Sequence, residues 1–344
     1  MMNLPLIILI SVLKIMVVMV VLLTCVAYTV LMERKVLGFI QLRYGPNRVG
    51  PWGLLQPLAD LLKLLFKEDF TPPGANKILF IMAPIITAGA AFLPFAVIPF
   101  AANILPPEIT IYGHKLDLTV AALNQGVIAD TNIGLLYIFA VGSLGVYGAV
   151  LGGWASNNKY SLLGGLRLSA QMVSYELALG LSVIGVLMLA ETLSTVKIVE
   201  AQKTIPFIVY QPLGFLIFMV AAMAECGRTP FDLIECENEL VAGYQTEYSS
   251  MKWALFMMGE YTHIIVASAL AVTLFLGGWQ GPVLPPIVWF VGKTFALVFF
   301  FIWVRGTFPR FRFDQLMALG WKVLLPLSLV NILVTGAVIL LIKG

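Results

Sequence analysis

The chain has 344 residues, of which 60% are hydrophobic and only 11% are charged, and its mean hydropathy is +0.95. This composition gives far more nonpolar surface than one soluble core can bury, so it excludes a soluble globular protein. The 21 basic and 18 acidic residues leave a net charge of only +3, which gives no reason to expect a nucleic-acid partner. We therefore expect a single integral membrane domain over residues 1–344, surrounded by the lipid bilayer.

Eight nonpolar stretches are each long enough to cross a bilayer, which needs about 20 residues per helix. They lie at residues 4–32, 78–100, 133–154, 168–190, 207–224, 253–276, 286–304 and 323–342. Lipid does not tolerate unpaired backbone groups, and the stretches lack the alternating pattern of a barrel. The predicted fold is therefore all-α, with about eight transmembrane helices. The first stretch lacks the basic segment and cleavage site of a signal peptide, so we expect it to be retained.

The basic residues indicate how the chain is oriented. All eight arginines lie in or beside the connections that follow spans one, three, five and seven, whereas the opposite side holds only Lys115, Lys197, Lys203 and Lys343. Because basic loops stay on the cytoplasmic side, both termini are predicted to face outward. The expected location is the bacterial inner membrane, or the mitochondrial inner membrane if the chain is organellar.

A short amphipathic segment follows the first span, at about residues 54–68. Polar side chains, including Asp60 and Lys63, follow helical spacing on one face, and leucines occupy the other. The segment is too short and too charged to cross the membrane, so it is predicted to lie along the surface. Two interpretations remain open: a simple anchor, or a helix that shapes an entrance for an amphipathic substrate.

Carboxylates are concentrated in a predicted inner loop, at about residues 225–252, and in the span that follows. Of the 18 acidic residues, seven lie here: Glu225, Asp232, Glu235, Glu237, Glu239, Glu247 and Glu260. Only Arg228 and Lys252 could neutralise them locally, so several must find distant cations, face water or retain protons at neutral pH. The alternative is a solvated acidic surface that binds a basic partner.

Glu176 lies well inside the fourth span, about 13 Å from its start at 1.5 Å per residue. A lone carboxylate in hydrocarbon is costly, so Glu176 is predicted to carry protons, with Gln171, Ser174 and Tyr175 as neighbours that could solvate it. His263 shares a helical face with Glu260. It is interpreted as a neutral hydrogen-bonding core residue, with a functional role as the alternative.

The few cysteines and histidines argue against a redox centre built from this chain. Cys25, Cys226 and Cys236 show no CxxC spacing, and the only histidines are His114 and His263. Metal and iron–sulfur sites need several such ligands close together. The sequence therefore predicts no metal or iron–sulfur site built from this chain alone, and any electron carrier would belong to a partner.

Several long motifs occur in the order found in one family. They are ERKVLGFIQLRYGPNRVGPWGLLQPLADLLKLLFKED from Glu33, SNNKYSLLGGLR from Ser156, SAQMVSYE ending at Glu176, RTPFDLIECENELVAGYQTEYSSMKW from Arg228, GEY at Gly259, GGWQGP from Gly277 and PRFRFDQLM from Pro309. In these motifs the chain resembles the H subunit of proton-translocating NADH:quinone oxidoreductase, respiratory complex I. Its mitochondrial counterpart is the first mitochondrially encoded subunit of that enzyme.

The resemblance implies a membrane subunit with no redox centre, whose substrate is ubiquinone or menaquinone. Iron–sulfur clusters and FMN would be held by partners, which include the soluble quinone-module subunit with the terminal cluster and neighbouring membrane subunits. Carried over by motif, the residues near the quinone chamber or its entrance would be Glu33, Arg34, Arg43, Arg48, Asp60 and Lys63. The seven carboxylates of the acidic stretch and Glu176 would form a proton-coupling funnel.

Two other functions fit parts of the sequence. A membrane anchor of a related energy-converting hydrogenase would share this architecture without binding quinone. An independent cation or proton transporter would also place acids within spans, but it is expected to show helices interrupted near the midplane in paired halves. The sequence shows no such interruptions.

Overall fold

The computed structural model describes residues 4–102, 108–111, 114–117, 126–233 and 237–343. Within these ranges, seven helices are long and nonpolar enough to span a membrane, and an eighth nonpolar helix has 14 residues. Each of the eight predicted spans corresponds to one of these helices. The all-α polytopic fold is therefore confirmed.

The described helices fall into long spanning helices and short connecting ones. The long ones are α1 (Leu4–Ile40), α3 (Lys77–Phe92), α4 (Gly134–Ala155), α5 (Lys159–Ala190), α8 (Pro212–Glu225), α10 (Ser250–Phe275), α11 (Pro286–Thr307) and α13 (Leu325–Lys343). The short ones are α2 (Gln56–Phe66), α6 (Thr195–Ala201), α7 (Phe207–Tyr210), α9 (Glu237–Leu240) and α12 (Phe313–Ala318). In the connection before α4, β1 (Glu108–Ile111) pairs antiparallel with β2 (His114–Asp117).

Two helices extend beyond their predicted bounds because polar residues at their ends take part in the helix. The fourth span begins at Lys159 instead of residue 168, since Asn158 accepts a hydrogen bond from the backbone N–H of Tyr160 and caps α5. The first span continues to Ile40 instead of ending at residue 32. The amphipathic helix is shorter than predicted and occupies Gln56–Phe66.

The fifth span is interrupted, which the sequence analysis did not detect. Gln211 separates α7 from α8, and the proline that follows it has no N–H to continue the helical bonding pattern. The buried Gln211 side chain donates to Thr335 Oγ1 at 2.6 Å and accepts from Asn331 Nδ2 at 2.9 Å. The break lies near one end of the span, and the described residues do not show the paired midplane breaks of a transporter.

The last span contains a wide turn beside the fourth one. Between α12 and α13, residues Leu319–Leu324 form a π-helical segment, so the helical path begins at Phe313 instead of residue 323. Tyr175 donates its hydroxyl to the Leu316 carbonyl at 2.8 Å, and Trp321 Nε1 donates to Ser174 Oγ at 3.2 Å. These bonds fasten the wide turn to the helix that carries Glu176.

Glycines bring α3 and α4 into close contact. Gly145, Gly148 and Gly152 recur at helical spacing on one face of α4. The missing Cβ of Gly148 leaves room for Thr87 and the Ala83 carbonyl of α3, and those of Gly145 and Gly152 would lie near the Cβ atoms of Ala90 and Ala83. Small residues at such spacing are the usual means by which helices approach each other in lipid, where burial of nonpolar surface gives no driving force. This contact fixes the position of Thr87 and Gly145 beside the site described below.

We expect Gly148→Ala to destabilise the protein, whereas Gly89→Ala on the facing helix should not. A Cβ at position 148 would collide with Thr87 Oγ1 and lie 2.8 Å from the Ala83 carbonyl oxygen, while a Cβ at position 89 would meet nothing within 4 Å. Overpacking a tight contact costs about 1–3 kcal/mol. Thermal unfolding of the detergent-solubilised protein measures the difference, and equal melting temperatures for the two variants would contradict the close contact.

Candidate functional site

A largely buried carboxylate on α10 is surrounded by hydrogen-bond donors. The Glu260 carboxylate receives hydrogen bonds from Arg228 Nη2 at 3.1 Å, the Tyr244 hydroxyl at 3.0 Å and Gln245 Nε2 at 2.5 Å. The Glu260 and Arg228 side chains are 15% and 7% exposed. The Arg228 guanidinium also lies over the Tyr261 ring, 4.5 Å from its centroid. The segment after α8 is thereby held against the middle of α10.

A glutamine on α5 fixes the end of α8. The Gln171 side chain is fully buried, and its Nε2 donates to the carbonyls of Ala224 and Phe231 at 2.7 and 2.9 Å. These two carbonyls lie on either side of the turn that leaves the helix. The clamp therefore sets the position of Glu225, the last residue of α8.

Two small cavities of about 40 Å³ each adjoin along this turn, and Glu225, Cys226 and His263 line both of them. The first, here called the Glu260 cavity, is also lined by Thr87, Gly145, Ala149, Leu168, Met172, Gly227, Tyr244 and Glu260. The second, here called the Leu270 cavity, is otherwise nonpolar and is also lined by Pro94, Ile138, Phe139, Gly142, Leu179, Phe218, Val266, Ala267 and Leu270. One water needs about 10–15 Å³ of such space, so each cavity has room for two or three.

Glu176 receives its hydrogen bond from α4. The Ser143 hydroxyl donates to the Glu176 carboxylate, which is half-buried. The predicted solvating neighbours point elsewhere: Gln171 clamps the end of α8, while Ser174 and Tyr175 bond to the last span. The prediction for these three residues is wrong because their side chains lie on other faces of α5.

Glu176 and Glu225 lie close enough for their negative charges to repel each other. Glu225 in turn shares a cavity with Glu260. Three carboxylates on α5, α8 and α10 thus form a series within the bundle. Such a series can change its proton content when the charge of one member changes, because like-charged neighbours resist ionising together.

The other acids of the predicted cluster lie apart from this series. Asp232 pairs with Arg310 at 3.1 Å, and its buried Oδ1 atom has no hydrogen-bond partner. Glu239 pairs with Arg167, and both side chains are substantially exposed. These pairs join the acidic segment to the last inner connection and to α5.

The remaining acids are at the surface or are not described. Glu247 accepts a hydrogen bond from Asn158 Nδ2 at 2.6 Å and lines an open, polar cavity of about 310 Å³. Glu235 lies outside the described residues. Glu237 begins α9, but its side chain is outside the described set.

Two ion pairs join α1 to the predicted entrance. Arg34 Nη1 lies 2.7 Å from Asp60 Oδ2, and Gln56 Nε2 donates to Asp60 Oδ1 at 2.9 Å, so α2 is fastened to α1. The buried Glu33 pairs with Arg305 at the end of α11. The predicted entrance residues Glu33, Arg34 and Asp60 are therefore brought together around the end of α1.

The other predicted entrance residues are at the surface. Arg43 bonds to Gln41 Oε1 at 2.8 Å, and Arg48 and Lys63 are exposed. Several large nonpolar side chains nearby are also exposed, with exposed fractions between 82% and 96%: Leu42, Tyr44 and Trp52, together with Phe66 at 87%. Such a nonpolar surface around basic residues is typical of a contact with lipid or with another protein.

The sequence analysis missed Ser143, Tyr244, Gln245 and Arg310 as members of the site. Each is a common residue type, and each meets its acid only through tertiary contacts across 15 to 78 positions. Of these four residues, only Ser143 could have been noticed in the sequence, because it is a polar residue within a predicted span. Among the described residues, no group of three or more His, Cys, Asp or Glu side chains could hold a metal ion.

Comparison with known proteins gives one family. A model of the NADH dehydrogenase family matches residues 13–336. The chain is 58% identical to an H subunit of NADH-quinone oxidoreductase from Geobacter metallireducens, over 95% of this chain and 96% of the relative. It is 57% identical to an H subunit of the same enzyme from Geobacter sulfurreducens over 96% of both chains, and 55% identical to one from Syntrophobacter fumaroxidans over 95% of both.

These similarities run through the site as well as the spans, since the matched region includes Glu33, Glu176, Glu225 and Glu260. They favour the quinone-reductase family over the hydrogenase anchor and the independent transporter. The chain therefore belongs to the family of the H subunit of NADH-quinone oxidoreductase, a membrane component of respiratory complex I.

Proposed function

We propose that this chain helps form a quinone chamber at the end of α1 and couples quinone reduction to proton translocation through its buried carboxylates. The observation that carries the proposal is the series Glu260, Glu225 and Glu176, in which Glu225 lines both adjoining cavities, Glu260 lines the first and Glu176 lies next to Glu225. The quinone, ubiquinone or menaquinone, is the substrate. FMN and iron–sulfur clusters belong to partner subunits.

Electrostatics explains how such coupling works. Reduction of a quinone by two electrons requires two protons, so each turnover changes the charge or the proton demand at the chamber. In a poorly solvated site, a charge about 5 Å away shifts proton affinity strongly, and one pKa unit corresponds to about 1.4 kcal/mol. The Arg228–Glu260 pair is the first to respond to the change of charge at the chamber. Glu260 then affects Glu225, because the two carboxylates line the same cavity.

The acidic segment extends this path towards the chamber. Asp232, Glu239 and Glu247 are tied to Arg310, Arg167 and Asn158, so their positions are fixed relative to the bundle. Of these three, Glu239 and Glu247 would form the wider mouth of the funnel, while Asp232 is buried behind them. Protons pass from this mouth through Glu260 and Glu225 to Glu176 and then to neighbouring membrane subunits.

The entrance lies between α1 and α2. The nonpolar face of α2 and the exposed Trp52 and Phe66 suit the hydrocarbon tail of a quinone, whereas Arg34, Arg43, Arg48 and Lys63 suit its polar head and the lipid headgroups. Soluble partners, including the carrier of the terminal cluster, cover this end of the molecule.

Basic residues support a location with this end in the cytoplasm of a bacterial cell. The Geobacter and Syntrophobacter relatives are bacterial, and all eight arginines of this chain lie on one side of the predicted spans. By the positive-inside rule, that side is cytoplasmic. The chain is then a multi-pass protein of the inner membrane, with both termini outside.

We expect Glu225→Gln and Glu260→Gln each to lower NADH-driven quinone reduction and proton translocation by roughly tenfold or more. A positioned proton-transfer group contributes about 10²–10⁴-fold to rate, and glutamine keeps the shape without the titratable proton. The measurement uses inner-membrane vesicles that contain the assembled enzyme, with a pH-sensitive dye and a quinone assay.

Asp314→Asn is the matched control for these acids, because Asp314 is 70% exposed and pairs only loosely with Arg312 at 3.3 Å. It should keep wild-type rates. Oxidation of NADH by a water-soluble artificial acceptor normalises for the amount of assembled enzyme. Wild-type quinone reduction and pumping in both glutamine variants, after this normalisation, would show that the carboxylates take no part in coupling.

Loss of the Arg34–Asp60 pair should affect quinone entry more than stability. The two side chains are 48% and 31% exposed, and such exposed pairs contribute only about 0.2–1 kcal/mol to stability. Asp60→Asn should therefore leave assembly intact and raise the KM for a long-chain quinone several-fold, with kcat nearly unchanged. An unchanged KM would favour the simpler interpretation of α2 as a surface anchor, and Asp314→Asn is again the control.

A further inference from the structure

His263 stands at the partition between the two cavities. It lies on α10 one turn after Glu260, and it lines both the Glu260 cavity and the Leu270 cavity. Only Glu225 and Cys226 share this property with it. These three side chains are the lining that the two cavities have in common.

The chemistry on the two sides of the partition differs. The Glu260 cavity contains a carboxylate, a phenol and the Thr87 hydroxyl, whereas the Leu270 cavity has no hydroxyl, amide or carboxylate side chain besides Glu225. A proton that enters the second cavity must therefore cross at the partition. Of the three shared residues, the Cys226 thiol is a poor proton acceptor at neutral pH, which leaves the carboxylate and the imidazole.

The His263 ring faces a glycine of α4. His263 Nε2 lies 3.3 Å from the point that a Cβ on Gly145 would occupy, so α4 approaches the ring without a side chain at that point. The charged or titratable groups that face this region are Glu225 and Cys226 from the end of α8, Glu260 with its partner Arg228, Tyr244, and Glu176 beyond Glu225.

We propose that His263 is a second proton-carrying group, which works with Glu225 to pass protons from the Glu260 cavity to the Leu270 cavity. One ring nitrogen accepts a proton from water or Glu260, and the other nitrogen releases its own proton to water in the Leu270 cavity. Rotation of the ring restores the starting tautomer, so one proton crosses per cycle and no other bond changes. This inference rests on the proposed coupling function and adds a residue to it.

The test replaces His263 in the assembled enzyme and supplies a diffusible substitute. His263→Ala should lower proton translocation and the coupled quinone reduction by roughly tenfold, since positioned proton-transfer groups contribute about 10²–10⁴-fold. Added imidazole should restore part of the loss, and substituted imidazoles should restore it in order of their basicity. His263→Asn keeps hydrogen bonding without proton exchange, so it should remain impaired.

Ser268→Ala is the control on the same helix, because its fully buried hydroxyl bonds only to the Ile264 carbonyl at 2.8 Å. It should pump at the wild-type rate with or without imidazole. NADH oxidation by an artificial acceptor again reports assembly, and His263→Asn decides the matter if His263→Ala fails to assemble.

Each result separates the two proposals. Wild-type pumping in His263→Asn, or an impaired His263→Ala that no imidazole restores, would overturn the role of His263. If the single variants Glu225→Gln and Glu260→Gln are nevertheless impaired, the proposed coupling function is supported, but without a role for His263. If those two variants also pump normally, both proposals fail.

Discussion

A charged side chain inside a nonpolar bundle must be paired or fully hydrogen-bonded, and the Arg228–Glu260 pair meets this requirement at the centre of the molecule. Removing one partner of a buried pair leaves the other charge uncompensated, at a cost of about 3–5 kcal/mol. The pair therefore fixes the segment after α8 against α10, and with it the position of Glu225. The charged Lys293 side chain is likewise hydrogen-bonded, since its Nζ donates to the carbonyls of Leu276, Gly278 and Gln280.

The site combines tight packing with empty space. Protein interiors are usually packed as densely as organic crystals, with few voids that could hold water. Here α3 and α4 touch through Gly148 and Gly152, while the neighbouring turn at Gly145 borders a cavity lined by five titratable side chains. A buried cavity needs polar groups to hold water, and Glu225 and His263 supply them to both cavities. At these shared residues the lining changes from the polar Glu260 cavity to the largely nonpolar Leu270 cavity.

Local patterns in the sequence predicted the spans, the surface helix and the acids that form the central series. These features depend on composition and helical spacing, which the chain shows directly. The contacts that organise the site depend on tertiary structure instead. Gln171 is predicted as a neighbour of Glu176, yet it clamps the end of α8, and Glu33 meets Arg305 across 272 positions. The break at Gln211 was also missed, because a single polar residue before a proline does not lower the hydropathy of the whole stretch.

The ion pair that joins α2 to α1 is more exposed to solvent than the pair between Arg228 and Glu260. Arg34 and Asp60 remain in contact with solvent, whereas Arg228 and Glu260 are largely shielded from it. Mobile ions screen exposed charges over a Debye length of about 8–10 Å at physiological salt and hardly affect buried ones. A rise in ionic strength is therefore expected to loosen α2 from α1 while the Arg228–Glu260 pair keeps its geometry, so salt acts on the outer contact of α1 and not on the inner pair that positions Glu225.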